Sequence, residues 1–271
     1  MLPYFRLPRS MDDWREKVVV LTGASSGIGR EIARLLGGKG AQLVLVARRV
    51  EALEELKVEI GRLGGVPPLA MAADIGDPAQ VAALRERVAS SWGTVDVLIN
   101  NAGRGAYGPF DSVALHEFES VVQTNLLGVV YCTRAFLPAM LARGQGQLVF
   151  ISSIVAELPS PGHSVYSATK FAVSGLAESL DYELAAKGIA ILLVEPGLVR
   201  TEFAERAGYP QRRFEQMPSK SPGEVAQEIV GAIEKRKRKI IPDRPACLVI
   251  KLRQHFPRLA RFIFRRVFRR F

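Results

Sequence analysis

Short runs of aliphatic and β-branched residues alternate along most of this chain with longer segments whose apolar residues recur every three to four positions. The first pattern predicts strands and the second helices. The predicted strands are Lys17–Thr22, Gln42–Ala47, Pro68–Ala72, Val95–Asn100, Gln147–Ser152, Ala190–Glu195 and Lys239–Ile241. The predicted helices are Gly29–Leu36, Val50–Leu63, Pro78–Trp92, Leu115–Leu141, Val165–Ala186 and Pro222–Lys235. Strand following helix in this way predicts an α/β fold, a Rossmann-type doubly wound, mainly parallel seven-stranded sheet with helices on both faces. Ligands are then expected at the carboxyl ends of the strands. The pattern divides the chain into an N-terminal extension (1–15), one domain (16–243) and a C-terminal tail (244–271).

With 271 residues, 48% of them hydrophobic, such a domain buries a sizeable core without staples. Cys132 and Cys247 imply no disulfide framework, and His116, His163 and His255 are scattered, so metal catalysis is not expected. Prolines and arginines break up the first ten residues, which argues against a signal peptide. No run approaches the ~18 consecutive apolar residues of a membrane span, and a cytoplasmic setting is expected. Charge is uneven. Residues 235–271 hold 14 Lys/Arg and one acid, leaving the rest of the chain at −3 and the tail at +13.

Tyr166 and Lys170 stand four residues apart in Tyr-Ser-Ala-Thr-Lys, with Ser153 thirteen residues before Tyr166 and Asn125 farther upstream. Residues i and i+4 share a helix face, so the Lys170 ammonium can lie beneath the Tyr166 phenol and favour its ionised form. A phenol so tuned exchanges a proton near neutral pH. The first predicted strand ends at Thr22, and Gly23, Gly27 and Gly29 lead straight into a helix, where backbone can approach a pyrophosphate at the positive helix terminus. Taken singly, each of these residues has a plainer reading as a turn former or a satisfied polar group. Their joint spacing favours chemistry.

Together with Thr22-Gly-Ala-Ser-Ser-Gly-Ile-Gly29 and Asn100-Asn-Ala-Gly103, this set closely resembles the classical short-chain dehydrogenase/reductase (SDR) family over roughly residues 16–243. The resemblance implies an oxidoreductase that interconverts a carbonyl and a secondary alcohol by hydride transfer. It implies Tyr166 as general acid/base, Ser153 on the substrate oxygen, Lys170 on the nicotinamide ribose and Asn125 anchoring a proton-relay water. For the cofactor it implies Gly23, Ser25, Gly27, Ile28 and Gly29 at the pyrophosphate, and Asp74 with Ile75 at the adenine. It also implies Asn101, Ala102 and Gly103 at the adenosine ribose, and Pro196, Gly197, Val199 and Thr201 at the carboxamide. Tyr166 and Lys170 belong to both sets. Where an NAD enzyme places a carboxylate against the ribose 2′-hydroxyl, this chain has Arg48 and Arg49, whose charge suits a 2′-phosphate. NADP(H) is therefore the expected cofactor, with NAD(H) as the alternative.

Substrate selection is expected from residues 154–163 and 202–221. Leu158, Phe203, Tyr209, Phe214 and Met217 suit an apolar wall, and Arg206, Arg212 and Arg213 suit an anion or water. A lipophilic ketone or long-chain 3-oxo substrate leads, with a small polar ketone, a sugar or a catalytically silent cofactor-binding regulator as alternatives. The resemblance also implies a homodimer or homotetramer. Residues 256–271 predict a helix from Pro257, with Ile263, Phe264, Val267, Phe268 and Phe271 on one side and Arg265, Arg266, Arg269 and Arg270 on the other. A basic amphipathic helix suits the surface of an anionic membrane, while the near-neutral body offers no continuing groove for nucleic acid.

Overall fold

The computed structural model describes residues 13–210 and 218–267. They build one sheet of seven strands in the order β3-β2-β1-β4-β5-β6-β7, and every neighbouring pair is parallel. The strands are β1 (Val18–Thr22), β2 (Gln42–Ala47), β3 (Leu69–Ala72), β4 (Val97–Asn100), β5 (Gly146–Ile151), β6 (Ile189–Val194) and β7 (Lys239–Ile240). All residues of β1, β4, β5 and β6 are buried, as unbroken aliphatic runs covered on both faces must be.

Helices α1 (Gly27–Gly38), α2 (Val50–Arg62), α3 (Pro78–Trp92), α4 (Leu115–Val122), α5 (Gly128–Arg143) and α6 (Ser164–Leu184) follow in chain order. After β6 come α7 (Glu202–Arg206) and α8 (Pro222–Glu234), and after β7 come α9 (Arg244–His255) and α10 (Pro257–Val267). Side chains alternate across each strand, so Val19 and Leu21 pack with Ile32, Leu36, Ile229 and Ile233 on one face. Val18 and Val20 pack with Leu84, Val129, Phe136 and Val173 on the other. Helix starts follow local chemistry. Asp77 caps α3 by accepting from the Ala79 and Gln80 amides, ahead of Pro78, and Ser221 and Glu224 form a capping box on α8.

The strand order runs outward in both directions from β1 and β4, which makes their carboxyl ends the switch point where ligands bind in such sheets. Three local differences from the sequence expectation bear on the site. The helix expected over Leu115–Leu141 is split by a π-helical turn, Gln123–Leu127, with Asn125 at its centre. Strands β5 and β6 begin and end one residue earlier than expected, leaving Ser152 and Glu195 just past the strand ends. The tail contains a further helix, α9, capped by Asp243 accepting from the Ala246 amide. The stretch Leu115–Arg143 is long and apolar enough to cross a membrane by length and composition alone; here Val129, Cys132, Phe136 and Met140 bury it against the sheet.

Candidate active site

The ends of β1 and β4 are stitched together by side chains. Thr22 Oγ1 accepts from the Asn101 and Ala102 amides, each at 3.0 Å, and Asn101 Nδ2 donates to Thr22 O at 2.9 Å and Gly23 O at 3.1 Å. Gly23 and Gly27 lie in the left-handed region, at φ +68° and +57°. A Cβ on Gly29 would stand 2.3 Å from Gly23 O, and one on Gly23 would stand 2.7 Å from Ala102 Cα. Ser26 leads into α1 in extended conformation without a side-chain cap. A loop this bare, at an uncapped helix N-terminus, fits the pyrophosphate of a dinucleotide. The side chain of Ile28 instead turns to the core.

Arg48 and Arg49 are exposed at the end of β2. Arg49 donates to Ser25 Oγ at 3.4 Å and lies 4.0 Å from Glu202, whereas Arg48 makes no hydrogen bond or ion pair among the described residues. Asp74 Oδ1 accepts from the Gly76 amide at 2.9 Å. Ile75 buries its side chain against Gly128. Pro196 O accepts from the Ile154 amide at 2.8 Å, tying the β6 loop to the turn after β5. Gly197 abuts Asp243, Val199 bridges to Lys220, and Thr201 caps α7 while its Cγ2 faces Gly27.

Asn125 is fully buried. Its Nδ2 donates to Arg104 O at 2.8 Å and Thr169 Oγ1 at 3.1 Å, and its Oδ1 accepts from the Arg104 amide at 2.8 Å. Both amide protons are therefore committed to joining the loop after β4 to α6. The π-turn presents that side chain, a form of helix irregularity common at functional sites. A Cβ on Gly103 would lie 3.4 Å from Asn125 Oδ1 and 3.6 Å from Lys170 Nζ, which places this backbone at contact distance from both groups.

Tyr166, Ser153 and Lys170 are all buried. Burial pushes the Tyr166 phenol up to about 12, opposed by a hydrogen bond with Ser153. Burial also holds Lys170 down to about 8. This departs from the proton exchange near neutral pH that the i, i+4 spacing suggests. Lys170 Nζ is 5.7 Å from the Tyr166 ring centroid and donates to Ile151 O at 2.8 Å, so its charge is spent partly on a carbonyl. In this arrangement Tyr166 keeps its proton and is an acid before it is a base.

Above Tyr166 lies an aromatic wall. The Phe203 ring sits 5.4 Å from that of Tyr166, and Tyr209 stacks on Tyr107 at 4.9 Å with His163 at 4.9 Å from Tyr209. Burial first, then the neighbouring Tyr166 and Tyr107, raise the Tyr209 phenol, and burial lowers His163. His163 closes the segment 154–163 expected to select substrate, but Tyr107 was not expected here, since nothing in the sequence joins the loop after β4 to the turn before α6. Leu158 is half-buried, and Arg206 pairs with Glu202 one helical turn away instead of facing the site. Arg212, Arg213, Phe214 and Met217 lie outside the described residues.

Residues 17–211 match the sequence pattern of the short chain dehydrogenase family. The chain belongs to the short-chain dehydrogenase/reductase family. It is 37% identical over 257 residues to dehydrogenase/reductase SDR family member 7B of Bos taurus, covering 90% of this chain and 79% of that one. It is likewise 37% identical over 228 residues to a fatty acyl-CoA reductase of Acinetobacter baylyi, covering 83% and 75%. Among solved SDR structures, a Sphingobium yanoikuyae enzyme in complex with NADPH is 32% identical with TM-score 0.79, covering 90% of this chain and 93% of that one. A Burkholderia phymatum SDR in complex with NAD is 28% identical with TM-score 0.84, covering 92% and 96%.

Proposed function

We propose that this SDR is an NADP(H)-dependent oxidoreductase that interconverts a carbonyl and a secondary alcohol on a lipophilic substrate. The observation that carries the reading is the burial together of Ser153, Tyr166 and Lys170 beyond the carboxyl end of β5, with Lys170 Nζ 5.7 Å from the Tyr166 ring centroid. When bound, the nicotinamide supplies the hydride in reduction and accepts it in oxidation. The chain's own residues then manage the oxygen and its proton. Ser153 and Tyr166 hold the substrate oxygen, and Tyr166 gives its phenolic proton as that oxygen gains charge. Lys170 restores the proton, and Asn125 keeps the loop after β4 and α6 in register for this relay.

The glycine loop and the start of α1 would hold the pyrophosphate, and Asp74 with the Ile75 backbone would hold the adenine. Asn101, Ala102 and Gly103 would line the adenosine ribose, and Pro196, Gly197, Val199 and Thr201 would receive the carboxamide. Exposed Arg48, with Arg49 beside Ser25, suits a 2′-phosphate, which supports NADP(H) over NAD(H). The neighbours bind either form, so the preference rests on these two arginines. The lipophilic assignment rests on the Phe203, Tyr107 and Tyr209 wall and accords with a relative named for a fatty acyl substrate.

Residues 16–243 form the catalytic and cofactor-binding unit in this reading, 1–15 an extension and 244–271 a docking tail, on an enzyme that works as a homodimer or homotetramer in the cytoplasm. On the tail, Leu248, Phe256, Leu259 and Phe262 are 49–72% exposed, with Lys251, Arg258, Arg261, Arg265 and Arg266 around them. Such a surface suits the interface of an anionic bilayer, at about 1 kcal/mol for each basic residue engaged. A panel of carbonyls and alcohols with both cofactors tests the enzymatic reading. Steady NADPH oxidation with lipophilic ketones is expected, and no turnover of any member by a folded protein that binds cofactor would assign a silent regulator instead.

A further inference from the structure

Glu195 is a fully buried carboxylate that the proposed chemistry does not use. It follows β6 directly and precedes Pro196–Gly197. Its Oε1 accepts from Ser174 Oγ at 2.9 Å, one helical turn after Lys170; Ser174 Oγ can accept in turn from Ser152 Oγ at 2.9 Å, for whose single proton Lys170 O at 3.0 Å competes. On its other side, Lys239 Nζ stands 3.0 Å from Oε2, an ion pair by distance whose angle falls short of a hydrogen bond. The same ammonium donates to Glu157 Oε1 at 2.7 Å. Glu157 closes the turn that begins at Ser153, through its amide to Ile154 O at 2.9 Å.

One ionic cluster therefore touches three functional segments: the Ser153 turn, the helix that carries Lys170, one turn on at Ser174, and the loop after β6. A well-packed apolar group at position 195 would hold the sheet as well or better, because taking a carboxylate out of water is costly. We propose that Glu195, paired with Lys239, is a positioning residue for the reaction, holding Lys170 through Ser174, one turn along the same helix, and the Ser153 turn through Glu157. This rests on the catalytic roles proposed for Ser153 and Lys170.

The arrangement depends on the charge of Glu195. The charged groups that face the carboxylate are Lys239 from β7 and Glu157 from the turn after β5. Glu178 and Asp181 of α6 stand one step out, 3.7 Å from Lys239 and Arg238 respectively. Helix α8 faces β6 with apolar residues such as Ile229 and Ile233. Burial raises Glu195 above the usual carboxylate range, and Lys239 and Ser174 act against that rise. Lys239 is held above the usual lysine range, the Glu157 and Glu195 contacts outweighing its own burial. As pH falls through its raised value Glu195 gains a proton, and the tie to Lys239 is lost.

The test compares wild type with Glu195→Gln, Lys239→Met and the double variant on the best ketone of the panel, reading kcat, KM for NADPH and their pH profiles. Glu195→Gln is expected to lower kcat between about fivefold and a hundredfold, the range of a misplaced reacting group. It should leave KM for NADPH within about twofold and flatten the acidic limb of kcat. Lys239→Met should lose a similar factor, and the double variant no more than the larger single loss, because the two remove one shared interaction. Wild-type kcat with an unchanged acidic limb in Glu195→Gln overturns the proposal even if thermal stability drops, as do losses that simply multiply. If Lys239→Met does not fold, the limb in Glu195→Gln decides alone. An inactive wild type overturns both this proposal and the enzymatic reading, whereas an active wild type, a dead Tyr166→Phe and unaltered Glu195 variants overturn this one only.

Discussion

Gly29→Ala puts one methyl group into the tightest part of the dinucleotide loop. The added Cβ would lie 2.3 Å from Gly23 O and 2.5 Å from Asn101 Nδ2, the first being about 1 Å inside the 3.4 Å where ordinary contact begins. Neither neighbour can swing aside. Gly23 O is backbone, and Asn101 Nδ2 is already bonded to Thr22 O and Gly23 O. The loop itself has to move, at about 1–3 kcal/mol for an overpacked site. If that movement falls mainly on the pyrophosphate cradle, the cofactor Kd rises by about 5- to 150-fold. Gly231→Ala is the matched control, because a Cβ there meets nothing within 4 Å inside α8. That change is expected to stabilise the protein by about 0.5–1 kcal/mol. Titration of NADPH by fluorescence, with thermal melts of both variants, measures the two effects. Unaltered NADPH affinity and melting temperature in Gly29→Ala would refute the cradle.

Arg48→Asp should raise KM for NADPH and narrow the NADP(H)/NAD(H) preference, read as the ratio of kcat/KM for the two cofactors; an unchanged ratio would remove Arg48 as selector. Lys170 links catalysis and stability to pH. Burial lowers it to about 8 from 10.5, so between those values the unfolded chain holds a proton the cofactor-free protein has lost, and stability rises with pH across that window by ~3 kcal/mol. Tyr166 does the opposite from 10 to about 12, keeping a proton the unfolded chain has lost, so stability falls there. Melts from pH 7 to 10 should show a rising limb that Lys170→Met abolishes, and a flat wild-type profile would contradict the assignment. Liposomes of anionic lipid should float the full chain at low salt, less at high salt, and not after deletion of residues 247–271; unfolding on deletion together with indifference to liposomes would make the tail structural.

The sheet was readable in the sequence because its strands are buried on both faces, and such strands are written as unbroken aliphatic runs bounded by glycines and polar turns. The active-site set was readable because Tyr166 and Lys170 lie within one helix turn. What lay beyond local spacing was missed. Proximity of Lys170 to Tyr166 follows from i, i+4, but the burial that raises the phenol and the acceptor Ile151 O that takes the Lys170 ammonium come from packing. The π-turn at Asn125 answers to Arg104 and Thr169, neither of them a sequence neighbour. Glu195 and Lys239 are joined only by the pairing of β6 with β7. Helix α9 did carry a local signal, Asp243 as cap with Pro245 in the first turn, hidden among the basic residues of the tail.

Tyr166→Phe tests the central claim most directly, because it removes one hydroxyl from a buried ring and leaves the glycine loop untouched. NADPH oxidation with the best ketone and NADPH affinity should be measured on the same preparation. The account predicts turnover reduced by at least about a hundredfold, the scale of general acid catalysis, with the cofactor Kd within about twofold of wild type. Near-normal turnover in the folded variant would contradict it.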